Sequence, residues 1–416
     1  MKLKKLLITG ILALAAIMPA AAQNTAVSPY TRFGYGNLSD NATSAQRSMG
    51  GVGYAMNSGR QINVMNPASY AAIDSLTFLF DMGVDFTAVW SSEGAGSEKR
   101  YGGGLDYITM QVPIGKRMGA SVGLLPYSSV GYSFGNDISN GRAERSGAGS
   151  LNQLYLGFAG TPFRGFYLGF NIAYLFGSTT NDNYATTTGG STTLFQREMT
   201  VRDWRADFGV QYVLPINRSN KVTLGLVYSP AKDFHGNAYG IFYDTSVSPV
   251  VPDTVNAGSS SMKGRYSMPE SWGAGINWNY NSQLMVEADY TYQPWSKAKF
   301  ATIDHFESTR FADRWRVGVG LQYTPKVRGN YFQRVHYRIG GFFNRDYIMV
   351  RDNNVHDYGV SLGFGFPVPT FKTIVNLGIE YRHRQAHPNP LLKENYINLT
   401  LGINFNEMWF RKSKIY

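Results

Sequence analysis

The side chains with the widest chemistry are six histidines: His235, His305, His336, His356, His383 and His387. His383 and His387 stand four apart, which on a helix would present two metal ligands on one face. They fall instead where a strand pattern gives way to a loop, so no metal site is expected. No His-Glu-x-x-His, Gly-x-Ser-x-Gly or P-loop pattern occurs. The chain has no Cys. That excludes a disulfide framework, a thiolate metal site and an N-terminal lipid anchor. No catalytic residue, metal or other cofactor is therefore expected, and the chain does not read as an enzyme. What remains is charge of both signs. Arg205, Arg316, Arg338 and Arg382 face Asp81, Asp85, Asp207, Glu287, Asp289 and Glu380. An arginine fork suits a carboxylate, which could belong to an amphipathic ligand. Enclosed charges also need partners of their own, so a structural ion-pair network is the other reading.

The elements that would position these charges follow from composition and period. Met1 to Ala22 has a basic start at Lys2, Lys4 and Lys5, an apolar stretch from Leu6 to Met18, and Ala20-Ala21-Ala22 before Gln23. This is a secretory signal pattern. Removing the three leader lysines lowers the net charge from +11 to +8. The bases are scattered, so a nucleic-acid partner is not expected. Only 16% of the residues are charged, while Gly, Tyr, Phe and Trp number 46, 28, 25 and 7. The aromatic content argues against disorder. No later run is long and apolar enough for a transmembrane helix.

Alternation with period 2 recurs instead. In Tyr396 to Asn406, Ile397, Leu399, Leu401, Ile403 and Phe405 share one face, opposite Asn398, Thr400, Gly402 and Asn404. Residues 76–90 and 271–280 behave alike. Fourteen such segments are expected: 76–90, 104–114, 118–134, 149–160, 165–178, 196–214, 221–229, 271–280, 283–292, 312–324, 334–347, 355–366, 373–384 and 394–406. Short links such as 114–117, 281–282 and 367–372 alternate with long ones at 91–103, 135–148, 179–195, 230–270 and 293–311. An even strand number, short turns at one end and long loops at the other describe an all-β transmembrane antiparallel β-barrel. Closure leaves no unpaired backbone in lipid. Aromatics near strand ends, such as Trp90, Tyr228 and Tyr323, suit interface girdles. A periplasmic β-sandwich is disfavoured, because its outer face would be charged.

The expected division is a signal peptide at 1–22, an N-terminal plug at 23–75, the barrel at 76–406 and a basic periplasmic tail at 407–416. Long loops would lie outside the cell and both termini in the periplasm. The plug is expected because Phe33, Met49, Tyr54, Tyr70 and Ile73 need burial, while its glycines allow tight packing. Loop 230–270 carries Phe234, Tyr239 and Phe242, apolar groups suited to capturing a greasy ligand.

Several stretches are more specific. The plug contains Met49-Gly50-Gly51 and Asn66-Pro67-Ala68. Met268-Pro269-Glu270-Ser271-Trp272-Gly273 opens one strand, and Asp289-Tyr290-Thr291-Tyr292-Gln293-Pro294-Trp295-Ser296 closes the next hairpin. In these the chain resembles the long-chain fatty acid transporter family of outer-membrane proteins (FadL/TodX type). Its end, Trp409-Phe410-Arg411-Lys412, departs from the usual strand-final aromatic. The resemblance implies fourteen strands, an internal plug and passive uptake of hydrophobic small molecules. Their exit would be sideways, through a gap at a kink in the third strand. There the sequence reads Leu125-Pro126-Tyr127-Ser128-Ser129-Val130-Gly131. Proline cannot donate to a ladder, so Pro126 must sit at a bulge or break. Pro126, Tyr127, Ser128, Ser129 and Gly131 are the candidate lateral gate. The alternative is a non-transporting barrel subunit of an outer-membrane assembly or secretion machine. Partners would then be other outer-membrane proteins, besides outer-membrane lipid.

Overall fold

A computed structural model describes residues 27–94, 96–190, 192–244, 252–254, 260–303, 306–369 and 372–408. Fourteen antiparallel strands close into a barrel, one for each alternating segment of the sequence. They are β1 (Thr77–Glu93), β2 (Gly96–Pro113), β3 (Met118–Ile138), β4 (Gly141–Phe163), β5 (Phe166–Thr187), β6 (Thr192–Pro215) and β7 (Asn220–Ser229). The circuit continues with β8 (Ser271–Tyr280), β9 (Leu284–Gln293), β10 (Arg314–Tyr323), β11 (His336–Val350), β12 (Asn353–Pro367), β13 (Ile374–His387) and β14 (Lys393–Met408). β14 pairs with β1 from Lys393 opposite Ser92 to Met408 opposite Thr77, which closes the ring.

Alternation decides which face each residue takes. In β12, Tyr358, Val360, Leu362 and Phe364 are exposed on the outside, while Asp357 and Ser361 are buried within. Leu154, Leu226, Ile276, Val319, Ile379 and Leu399 extend this apolar outer belt around the barrel. Such a belt on a closed barrel is that of an outer-membrane protein. No helix among the described residues is long and apolar enough to cross a membrane.

The structure differs from the sequence reading at the loop end. Segments 91–103, 135–148 and 179–195, expected as loops, are largely strand. Chain reversals there are confined to the few residues between β1 and β2, β3 and β4, and β5 and β6. Above the lipid both faces meet water, so alternation fades while pairing persists. Within 230–270, Gly236–Asp244 is also strand and pairs with β6 from Thr193 to Val201. The leader and residues 409–416, with the basic tail, lie outside the described residues.

The N-terminal segment fills the lumen. It includes 3-10 turns at Pro29–Arg32 and Pro67–Ala72 and a helical turn at Ser44–Arg47. Its described start lies at the loop end. Ser28 Oγ donates to Glu394 at the top of β14, and Tyr30 Oη donates to the Leu392 carbonyl in the outer β13–β14 link.

Candidate functional site

Glycines on the inner wall let the plug's backbone reach the strands. A Cβ on Gly340 would lie 2.1 Å from the Met49 carbonyl carbon and 2.2 Å from the Gly50 nitrogen. Met49, Gly50 and Gly51 thus lie flat against β10 and β11. Arg316 Nη2 donates to the Gly50 carbonyl at 2.7 Å and Nη1 to that of Gly51 at 3.2 Å. Asn66, Pro67 and Ala68 press on the opposite wall. Asn66 Nδ2 donates to the Tyr54 and Val210 carbonyls, and its Oδ1 accepts from the Ala68 amide. Asp289, from the Asp-Tyr-x-Tyr motif, accepts from the amides of Gly53 and Tyr54 at 2.6 and 2.9 Å. Glu287 accepts from Ala55 at 2.8 Å. That motif therefore fastens the plug.

Among the described residues, chambers of about 230 and 90 Å³ lie between the plug and the wall, and a third of about 300 Å³ lies at the loop end between residues 231–233 and 267–270. Residues Leu38, Ser39 and Asp40 border both plug chambers. The larger of these two is lined by Arg314, Arg316, Arg382 and Arg384 together with Asp40, Asp85, Asp106, Asp346, Asp357 and Glu380. Arg382 pairs with Asp357 and Arg384 with Asp346. Asp40 meets Arg314 at 2.5 Å and Arg316 at 3.4 Å. Burial raises the Asp40 carboxyl, but the two guanidinium groups more than offset this and hold it well below the usual carboxylate range. Arg47 reaches Asp106 at 2.7 Å.

The lumen arginines are thus not equivalent. Arg316 and Arg382 face the larger chamber. Arg205 lines the smaller one, 2.6 Å from Asp207 and with its guanidinium 5.5 Å from the Tyr127 ring centre. Arg338 borders neither chamber and is spent on Gln322 and Asn376. Nothing in the alternation singles out Arg47, Asp40 or Asp106. Arg384 could have been found, since it shares the inner face of β13 with Arg382.

The candidate gate lies at a break in the wall. β2 and β3 pair only from Pro113 opposite Gly119 to Ile108 opposite Leu124. Above Leu124, β3 leaves β2 and stays paired with β4, with a bulge between Pro126 and Ser128. The free edge of β3 is taken by the plug. Asn37 and Leu38 pair with Ser129 and Ser128. The Ser39 amide donates to the Tyr127 carbonyl and the Ser28 amide to that of Gly131, both at 2.9 Å. Gly36, with φ +86°, allows this approach: a Cβ there would stand 2.4 Å from the Ser129 carbonyl oxygen. Pro126, Ser128 and Ser129 line the larger chamber, as do Leu105 and Asp106 across the seam on β2. Higher up, Arg100 of β2 donates to the Ser133 carbonyl of β3.

Phe234, Tyr239 and Phe242 line none of the three chambers. Phe234 is fully buried in an aromatic cluster with Tyr35, Tyr266, Trp295, Phe300, Phe311 and Tyr347 at the loop end. Its centroid lies 4.9 Å from that of Tyr35, whose hydroxyl is held well above its usual pKa by burial. Tyr239 donates to Glu198, and Phe242 packs on Phe195. Phe234 thus joins a lid and Phe242 a strand, each burying apolar surface against other aromatic rings. His356 stacks on His387, with centroids 5.7 Å apart, and no group of three metal-ligating side chains occurs among the described residues.

A family model described as BamG matches residues 2–416. Among curated proteins, none matches the chain. Solved structures share the fold. A Pseudomonas aeruginosa FadL homologue superposes with TM-score 0.63 at 12% identity, covering 89% of this chain and 99% of that one. The Ralstonia pickettii toluene transporter TbuX gives 0.60 at 13%, covering 88% and 98%. The monoaromatic hydrocarbon channel CymD gives 0.57 at 16%, covering 91% and 100%. The architecture is thus a FadL-type barrel with an internal plug.

Proposed function

We propose that this chain, which belongs to the BamG family, is a passive outer-membrane channel for lipophilic small molecules, with a lateral exit between β2 and β3. The observation that carries this reading is the parted ladder above Leu124, with the larger chamber running up to it. A backbone gap facing lipid is costly unless something satisfies it. Here a short plug strand does so, and a two-residue strand is easily displaced. The fold's neighbours include a monoaromatic hydrocarbon channel and a toluene transporter. A ligand carboxylate would have to compete with Asp40 for Arg316 and with Asp357 for Arg382.

The test is uptake of a fluorescent long-chain fatty acid into proteoliposomes. Ser129→Trp fills the chamber beside the seam and should lower uptake at least fivefold while the barrel still folds. Uptake no faster than in empty liposomes would overturn the reading.

One observation favours a second reading. Both plug chambers are walled by charged and polar groups, and the aromatic cluster packs the loop end. A barrel that carries nothing and serves as a subunit of an outer-membrane assembly needs no apolar passage. Native mass spectrometry from mild detergent separates the two. A small adduct displaced by fatty acid supports the channel, and a stoichiometric protein partner without adduct supports the subunit.

A further inference from the structure

Five of the six links at the short-turn end of the barrel carry a base. Lys116 and Arg117 lie between β2 and β3, Arg164 between β4 and β5, Arg218 between β6 and β7, and Lys326 and Arg328 between β10 and β11. All six are exposed, and none has an acidic partner within ion-pair distance among the described residues. The six links at this end, from 114–117 round to 368–373, contain no Asp or Glu. Of the nearby acids, Asp74 is matched by Arg60 at 3.6 Å, which leaves Glu407. The loop end is different: Arg100 meets Glu98 there, and Arg142 meets Glu144.

Large apolar side chains sit beside these bases. Ile114, Phe163, Ile216, Val327 and Phe332 are all roughly half exposed or more, Phe332 at 72%. Water alone gives no reason for a phenylalanine to stand out beside arginines. An interface does: the ring sinks to the level of the acyl chains while the base meets a phosphate.

We infer that this rim is a binding surface for anionic phospholipid headgroups of the leaflet that borders it. The bases hold the phosphates, and the apolar residues fix their depth. The inference depends on the chain being a membrane barrel and is indifferent to what its lumen carries.

The test uses the full chain in mild detergent, offered equal amounts of phosphatidylglycerol and phosphatidylcholine with the same acyl chains. Native mass spectrometry counts the adducts. At low salt, phosphatidylglycerol adducts should exceed phosphatidylcholine adducts at least threefold, with the ratio falling toward one as salt is raised. Combined Lys116→Gln, Arg117→Gln, Lys326→Gln and Arg328→Gln should remove the preference. Equal adducts at low salt would overturn the inference, as expected if the rim instead meets an acidic protein. A preference that survives the four substitutions would overturn it too. Should that variant fail to fold, the salt titration of the unaltered chain decides.

Discussion

Arg47 Nη2 donates to Asp106 Oδ1 across 2.7 Å, and Asp106 is the residue that the β1–β2 ladder skips. Gly83 pairs with Tyr107 and Val84 with Leu105, so the extra residue bulges. A bulge re-aims a side chain. This one serves the plug's only α-helical turn among the described residues. Asp106→Ala leaves Arg47 without that partner in an enclosed site. The cost should be about 3 kcal/mol. Hydrogen exchange in residues 43–56 should rise while the barrel's heat-modifiable gel mobility stays unchanged; unchanged exchange would mean that the pair holds nothing.

Gly340 sets a steric test. An added methyl meets backbone atoms of Met49 and Gly50, which no rotamer change can relieve. Gly340→Ala should destabilise the plug by about 1–3 kcal/mol, the usual cost of overpacking. Gly115→Ala, with nothing within 4 Å, is the control and should be silent. Denaturant midpoints of the two variants should separate clearly.

Gly36 tests the covering of the seam. Any other residue there takes the left-handed backbone at a cost of about 1–2 kcal/mol and also meets the Ser129 carbonyl. Gly36→Ala should release Asn37 and Leu38 from β3. The chain has no native thiol, so Leu38→Cys reports this cleanly. A maleimide should label it several times faster in the Gly36→Ala background, and equal rates would show that the strand stays docked.

Asp40 makes the plug sensitive to acid. Its carboxyl lies below the usual range when folded, despite burial, because Arg316 and Arg314 face it. Its contribution is therefore complete above the unfolded value of about 4 and fades as pH falls toward the folded one. The difference in plug protection between the native chain and Asp40→Asn should stay constant from pH 7 to about 4 and shrink below. Asp40→Asn should weaken the plug at neutral pH and flatten the acid decline. A variant that declines as the native chain does would assign the effect to another group.

The barrel was largely legible because lipid and lumen impose opposite demands on successive residues. Trp272, Ala274 and Ile276 against Gly273 and Gly275 carry that signal plainly. What the alternation hid has physical reasons. The outer halves of β3 to β6 stand in water on both faces, so Gly135 to Ala148 lose the contrast while keeping the hydrogen bonds. Pro126 announced a break, yet its position does not say which neighbour parts. The structure parts β3 from β2 and keeps β4. Phe234 is apolar whether it packs or captures, so the sequence alone could not place it in the buried aromatic cluster. The basic rim was invisible because its members are scattered along the chain, and only closure makes a circle of them.

The strands are far from equal in height. β6 has 24 residues and β8 has 10, while Gly236–Asp244 continues the wall above β7 by pairing with β6. At about 3.4 Å per residue and a tilt near 45°, the difference is roughly 30 Å. The barrel therefore carries a palisade over β3 to β6, extended by Gly236–Asp244, and a low parapet over β8 to β10. Anything approaching through the surrounding medium on the palisade side meets a standing sheet before it meets the rim. From the parapet side it can come directly over the aromatic lid. Two molecules packed side by side in the membrane would thus have a built-in front and back.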